Sequence, residues 1–520
     1  MRILSFKPGH DGCAAFIDDG RLVYSIEAEK DSFERYGEIS ASLMAQAAAM
    51  APGLPDVVAI GGWHKFLPGH HSRVGAGYNG PDRVSIADSH FFGTPVKLFS
   101  SSHERSHLYA AAALAPAAPL KECVILVWEG VTGAFYHWQE YGEKITRTRV
   151  MSQPGARYAA LFALADPTFP DTGSDPRMED AGKLMALAAY RDTAALTSAE
   201  RATVDGLLLA QEPMYPFFKS SYRHSPLYNC EVTSPQCQRA AWYITDRIYE
   251  IFYEAAKAQC SPNLPLLISG GCGLNCEWNR RWRDCGHFTD IFVPPCPNDS
   301  GSAIGTAADA ASYFGGQCKL TWSVYAGAPF QHDVAPDSGI WSTQPLHLDQ
   351  LARRMADGRV VAWVQGRYEL GPRALGHRSL LASPLSPASK ILLNTIKGRD
   401  DYRPIAPCCL HEELDRWFDP PIDDPYMLYF SRVRTDALPA ITHVDGTARV
   451  QSVRDHEVPV LSRLLRAFAA LTGYGVLCNT SLNYRGRGFI NTMSELLAYC
   501  ELTGIHELVV DDVWHRRLWP

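Results

Sequence analysis

One local pattern occurs twice and limits the fold more than any other feature of the chain: a β-rich run, a glycine turn, and a second β-rich run. At the start, ILSF leads into Pro8-Gly9-His10-Asp11-Gly12, then CAAFI, Asp18-Asp19-Gly20 and RLVYSI. At 124–138, VILVW is followed by Glu129-Gly130-Val131-Thr132-Gly133 and AFYHW. Turn residues between β-rich runs are a hairpin signal. Two such hairpins predict an internally duplicated α/β domain.

Helices alternate with further strands. The stretch 235–259 predicts one long helix, with Ser234 as its cap and Pro235 at its first position. It feeds the strand LPLLIS and the turn Gly270-Gly271-Cys272-Gly273-Leu274-Asn275; strand, turn and helix follow again at 291–311. This alternation predicts a largely parallel sheet with helices on its faces. Residues 313–345 are rich in Gly, Pro and Ser and lack periodicity. A boundary is therefore placed at 340, giving domains 1–340 and 341–520. The second domain reads as another α/β unit: strand RVVAWVQ, helix PASKILLNTIKG, strand GVLCN and helix TMSELLAYCELTG. Thr492 and Glu495 have capping-box spacing, and Gly504 is a helix stop.

Composition narrows the function classes. With 49 Lys+Arg against 56 Asp+Glu the formal charge is −7, which argues against nucleic-acid binding by bulk positive charge. No apolar run approaches the ~18 residues a membrane-spanning helix needs. MRILSFKPGHDG has a charge and a turn where a secretory peptide has its apolar core, so a cytoplasmic protein is expected. The 14 cysteines are scattered, unlike a disulfide scaffold. Cys272 and Cys276 form a lone C-x3-C, and Cys408-Cys409 reads as two half-buried thiols.

Chemistry is suggested at several places. His103-Glu104-Arg105-Ser106-His107 puts two imidazoles at i and i+4 on one helix face, the spacing of a metal site. It also has the zinc-protease form, with Glu104 as base; alternatively Ser101 and Glu104 form a capping box. Asp299, ahead of a helix, reads as an N-cap or as a third ligand, and Glu129 as a fourth oxygen. Glycine turns at 8–12, 130–133, 270–275 and 299–305 resemble a nucleotide cleft, with Gly12, Gly270, Gly271, Asn275 and Gly301 as the candidate contacts. Between 353 and 403 ten Lys/Arg (Arg353, Arg354, Arg359, Arg367, Arg373, Arg378, Lys390, Lys397, Arg399, Arg403) face four acids (Asp357, Glu369, Asp400, Asp401). Arginine forks match phosphate bidentately, so this segment is expected to converge on a phosphorylated small molecule.

Taken together, the GHDG hairpin, the H-x3-H helix, GKLMALA at 182–188, GGCGLNC, the Asp299-x-Gly turn, GPRALGHRS at 371–379, K-x-R-x3-RP at 397–404, HVDGTARVQ and NTSLN resemble the NodU/CmcH family of O-carbamoyltransferases. The resemblance implies a Kae1-like N-terminal domain of the actin-like ATPase superfamily, with a bound divalent metal, Fe2+ being expected. It implies a YrdC-like C-terminal domain that takes carbamoyl phosphate and ATP with Mg2+ and forms carbamoyladenylate. His103, His107 and Asp299 then correspond to metal ligands. Arg373, Arg378, Lys397, Arg403, Arg449, Asn479 and Ser481 correspond to the carbamoyl phosphate and ATP site. The catalytic candidates are His10, Arg373, Lys397 and Arg403, and a general base for the acceptor hydroxyl is expected from His10 or a metal-bound group.

Two departures stand out: Trp128-Glu129-Gly130 where Val-Asp-Gly is usual, and Glu29-Lys30-Asp31-Ser32-Phe33-Glu34-Arg35 where relatives have Glu-Glu-Arg. FKPGHDG, EKDSFER and the length are most similar to the branch that carbamoylates 3-hydroxymethylcephem antibiotics. The alternatives kept are another acceptor (aminoglycoside, macrolide or ansamycin), a zinc metallopeptidase through His103, Glu104 and His107, and a nucleotide-binding tRNA-modification subunit. Expected partners are carbamoyl phosphate, ATP and a hydroxylated small molecule, with no nucleic acid and no membrane; a homodimer is left open. Candidate acceptor walls are Trp63-His64 with Pro68-Gly69-His70-His71, and the aromatic run Tyr215-Pro216-Phe217-Phe218 through Tyr222 and Tyr228.

Overall fold

The hairpin pattern produces two sheets with one winding order. In the first, Arg2–Lys7, Cys13–Asp18 and Arg21–Glu27 form an antiparallel meander, and Val57–Gly61 and Thr94–Ser101 extend it in parallel from the other side of Arg2–Lys7. In the second, Cys123–Trp128, Thr132–Gln139 and Lys144–Ser152 form the meander, and Leu266–Ser269 and Ile291–Phe292 extend it in parallel. The first sheet gains an antiparallel edge strand, Val84–Phe91. This computed structural model describes residues 1–67, 70–116, 119–191, 194–211 and 213–518, with backbone alone at 65–67 and 70–73.

The expectation of a largely parallel sheet is corrected. Both sheets are mixed, because the same tight turns that mark the duplication force their strands to run antiparallel. The third sheet, of eight strands from Trp341–Pro345 to Gln451–Val453, has only two parallel neighbours, Glu507–Val510 with Val361–Val364 and Ala406–Leu410 with Gln451–Val453.

Period-two alternation explains how that third sheet is covered. Val361, Trp363, Leu381, Cys408 and Leu477 face the helices Leu348–Ala356 and Pro459–Thr472. Ala362, Val364, Leu380, Cys409 and Cys478 face the opposite layer, with Met493, Leu496 and Cys500 of the helix Met493–Thr503. Cys408 and Cys409 are fully buried on opposite faces rather than half-buried. Thr492 caps its helix by accepting the Glu495 N–H at 3.3 Å, and Gly504 ends it in the left-handed region (φ 68°). The helix Pro235–Gln259 runs as expected, its Ser234 hydroxyl accepting the Cys237 N–H at 3.2 Å.

The chain packs as two compact units, Met1–Pro116 with Pro294–Pro520, and Ala117–Val293. The first therefore joins the amino-terminal sheet to the whole carboxy-terminal part. A strap of residues 32–35 makes part of that connection: Ser32 N–H donates to Phe489 O at 2.8 Å, Gly488 N–H to Phe33 O at 3.0 Å, and Arg35 N–H to Gly486 O at 3.0 Å. The neighbouring Lys30 reaches the Gly371 carbonyl at 2.8 Å and lies 3.9 Å over the Phe489 ring. Among the described residues, no helix is long and apolar enough to cross a membrane.

Candidate active site

The two histidines of the H-x3-H motif sit in the first turns of the helix His103–Leu114. Its cap is Ser102, whose hydroxyl accepts the Arg105 N–H at 3.1 Å, so the expected Ser101–Glu104 capping box is corrected. Glu104 is buried and accepts the Gly80 N–H at 2.6 Å, which binds it to a loop rather than freeing it as a peptidase base. This helix crosses Ser302–Tyr313 so closely that a Cβ on Gly305 would lie 1.9 Å from Ser106 O. Arg105 locks the crossing through Asp309, with Nε–Oδ2 at 2.6 Å and Nη2–Oδ1 at 2.8 Å. The close crossing delivers Asp299, just ahead of the second helix, to the histidine pair.

There the His103 and His107 Nε2 atoms face each other at 3.2 Å. Asp299 Oδ1 lies 3.5 Å from the first and 3.3 Å from the second. All three side chains are buried. Two imidazole nitrogens and a carboxylate oxygen converging in a buried space fit a borderline divalent cation. Glu129, the expected fourth oxygen, is buried at the end of Cys123–Trp128 in the other unit.

Three residues surround Asp299 on its far side. Lys7 is fully buried, its ammonium 2.8 Å from Asp299 Oδ2, hydrogen-bonded to the His10 carbonyl, and 4.1 Å over the Trp63 ring. His10 is half-exposed; its Nδ1 is 2.9 Å from Asp11 Oδ2 and its Nε2 is 3.7 Å from Asp299 Oδ2. Burial pushes the Asp299 carboxyl up, but Lys7, His103 and His10 outweigh it and hold the group well below the usual carboxylate range. Burial would lower the His10 imidazole, yet Asp299 and Asp11 raise it. Trp63 stands edge-on to both His10 (5.1 Å) and His103 (5.0 Å), and packs so tightly on Gly9 (φ 83°) that a Cβ there would lie 2.1 Å from the ring. Motif spacing pointed to neither Lys7 nor Asp11.

The glycine turns divide into different tasks. The Gly12 N–H donates to Gly37 O at 2.9 Å, so it does not face a phosphate. Gly301 is packed against the Cys296 carbonyl, and its N–H donates to Asn298 O. Asn275 caps the helix Cys276–Asp284, accepting the Glu277 and Trp278 N–H groups at 3.1 and 3.3 Å. Gly270 adopts φ 92° against the Trp128 carbonyl, and Gly271 alone opens onto free space.

The carboxy-terminal cations form a cluster. Lys397 donates to Ser481 O at 2.6 Å, to Asn483 O at 2.8 Å and to Asn483 Oδ1. Burial, then Arg399, Arg35 and Arg403, push its ammonium well below the ordinary lysine value. Burial with Arg403 and Arg449 takes Arg399 down to about 9, and burial with Arg35 lowers Arg403. Arg399 Nη2 and Arg449 Nε are buried without a hydrogen-bond partner. Cations gathered this closely, three of them lowered with burial as the first cause, are a cradle for an anion, since their repulsion falls when negative charge enters. Ser481 reaches this cluster through its carbonyl, while its hydroxyl donates to Asn483 Oδ1 at 2.5 Å. Asn479 is buried on the same strand, its amide donating to Ala374 O and Gln451 Oε1. Arg373 is half-buried within the Gly371–Ser379 loop.

Arg378 has a different task from the one expected. It is fully buried, and all five N–H bonds are taken: by Asn491 Oδ1 twice, and by the carbonyls of Gln365, His377 and Gly366, at 2.7–3.1 Å. No donor is left for a phosphate, so Arg378 shapes the loop instead of binding a ligand.

Of the acceptor walls, Trp63 lines the histidine cluster, and His64 stacks on Tyr78 at 5.3 Å. Pro68 and Gly69 lie outside the described residues, as do the side chains of His70 and His71. In the second aromatic run Phe217 is buried against Phe169 and Tyr222, and the Tyr228 hydroxyl donates to Asp171, making a local core; Phe218 is exposed.

Residues 352–517 match the family model "Carbamoyltransferase C-terminus" and residues 244–308 match "Carbamoyltransferase N-terminus". A "3'-hydroxymethylcephem-O-carbamoyltransferase" of Amycolatopsis lactamdurans is 53% identical over 99% of both chains. One of Streptomyces clavuligerus is 52% identical over 100% of this chain and 99% of its own. The "Nodulation protein U" of Rhizobium tropici is 33% identical over 99% of this chain and 95% of its own.

Proposed function

Because the chain belongs to the carbamoyltransferase family, we propose that it is an O-carbamoyltransferase acting on the hydroxymethyl group of a 3-hydroxymethylcephem in cephamycin-type antibiotic biosynthesis. The observation that carries this reading is end-to-end identity of 53% and 52% with two enzymes named for that acceptor. The donor is carbamoyl phosphate, activated with ATP and Mg2+ as carbamoyladenylate, in the cytoplasm.

The division of labour is between a Kae1-like part, 1–340, and a YrdC-like part, 341–520. In the latter, Arg373, Lys397, Arg403 and Arg449 carry the positive charge that offsets repulsion between two phosphorylated reactants. Support comes from the buried N–H groups of Arg399 and Arg449, which have no hydrogen-bond partner. Asn479 and Ser481 supply the strand beneath it, and Arg378 holds the adjoining loop.

In the Kae1-like part, His103, His107 and Asp299 would hold a divalent metal, Fe2+ in this reading, and the Gly270-Gly271 turn would face the nucleotide. A bound cation there supplies Lewis acidity toward phosphate or carbonyl oxygen. His10 takes the proton of the acceptor hydroxyl at Nε2, with Asp11 fixing the ring through Nδ1. The hydroxyl oxygen bonds to the carbamoyl carbon as the bond to AMP breaks, and AMP leaves.

The test has two steps. Protein, ATP and carbamoyl phosphate without RNA should release pyrophosphate. Adding 3-hydroxymethylcephem should then yield carbamate ester and AMP, ahead of aminoglycoside or macrolide alcohols. Absence of pyrophosphate defeats the donor reading, and preference for another alcohol defeats the acceptor reading.

A further inference from the structure

Lys7 ends the first strand, where the following Pro8-Gly9 turn leads away, yet its side chain is 0% exposed. A buried ammonium is costly unless its directions are filled. Here they are filled by Asp299 Oδ2 at 2.8 Å, the His10 carbonyl, and the face of Trp63 at 4.1 Å. The tight seat of Trp63 on Gly9 keeps the ring, and so the ammonium, in place. The two oxygens of Asp299 are therefore unlike. Oδ2 is turned to Lys7, and Oδ1 to the His103 and His107 Nε2 atoms at 3.5 and 3.3 Å.

We propose that Lys7 is a positioning residue that restricts Asp299 to one metal-facing oxygen and weakens the site's hold on a divalent cation. The inference rests on the metal reading above. Bringing Oδ2 round to share a cation would break the ion pair with Lys7, and the ammonium itself repels a cation bound beside Asp299. The site is thereby kept from closing its carboxylate fully around the metal, which leaves coordination for an outside ligand.

The experiment uses full-length protein stripped of metal and reloaded with Co2+. Lys7→Met, close in shape and uncharged, should bind Co2+ more tightly on the order of tenfold, from loss of the repelling charge. Metal-edge X-ray absorption should count one additional light-atom ligand in that variant. Lys7→Arg, which keeps the charge, should stay nearer to wild type than to Lys7→Met. Equal affinity and equal ligand number in wild type and Lys7→Met would overturn the proposal.

If Lys7→Met does not fold, wild type alone decides. The infrared difference spectrum of metal-loaded against metal-free wild type should show the wide carboxylate splitting of one-oxygen ligation. A narrow splitting overturns the proposal. Wild type that takes up no metal overturns the metal site itself and the inference with it; uptake without a Lys7 effect overturns the inference alone.

Discussion

Lys397 donates to the Ser481 carbonyl at 2.6 Å and thereby fastens the loop after Pro387–Ile396 to the end of the strand Val476–Ser481. Two motifs 84 residues apart are one physical object, and the remaining cations gather around their junction. A lysine spent on backbone carbonyls cannot be exchanged for alanine without loosening the strand end.

Arg403 is the cleaner probe of that cluster. Arg403→Ala removes charge without removing a structural hydrogen bond, and should slow pyrophosphate release from ATP and carbamoyl phosphate by about 100-fold. Transfer from supplied carbamoyladenylate should be retained. Near-normal pyrophosphate release would remove Arg403 from the phosphate site.

Arg378→Ala should act on stability first. It strands the Asn491 oxygen and three backbone carbonyls in the interior, a loss of about 3–5 kcal/mol. Urea unfolding should show it, and Arg378→Lys should recover only part because an ammonium cannot reproduce the fork. An unfolding midpoint equal to wild type would contradict the framework role.

His107→Ala and Asp299→Asn should lose bound metal and carbamoyl transfer together while pyrophosphate release continues. Metal analysis and the two half-assays separate these effects. Transfer that survives in metal-free protein would detach the histidine cluster from the reaction.

Glu27 gives a pH signature. It is buried and accepts the Gly371 N–H at 2.8 Å; burial, opposed by Lys30, raises its carboxyl to about 7. The folded state thus favours the protonated form. Its contribution is full below the unfolded value near 4.5 and is lost as pH rises through 7, a fall on the order of 3 kcal/mol. Glu27→Gln should flatten the stability profile between pH 4.5 and 7.5, as read by urea unfolding at each pH. An unchanged slope would assign the titration elsewhere.

Local signals were legible to different depths. The i, i+4 spacing placed both histidines on one helix face, and the glycine turns marked both hairpins. Whether those strands continued parallel or antiparallel depended on crossovers that no local pattern records. Arg378 read as an anion ligand because a cation beside glycine looks the same whether it meets a phosphate or three carbonyls. Lys7 was invisible: a lysine before Pro-Gly reads as solvent-exposed until Asp299 and Trp63 arrive from distant parts of the chain. Ser102 displaced Ser101 as cap because the preceding strand extends through Ser101.

The backbone pairing of residues 32–35 with 486–489 has a practical outcome for anyone dividing this enzyme. A fragment starting at 341 would lack the covering peptide and Arg35, and would expose the Phe489 ring that Lys30 now shields. Separately expressed halves should therefore be inactive alone and recover only when mixed, as complementing fragments rather than as autonomous modules.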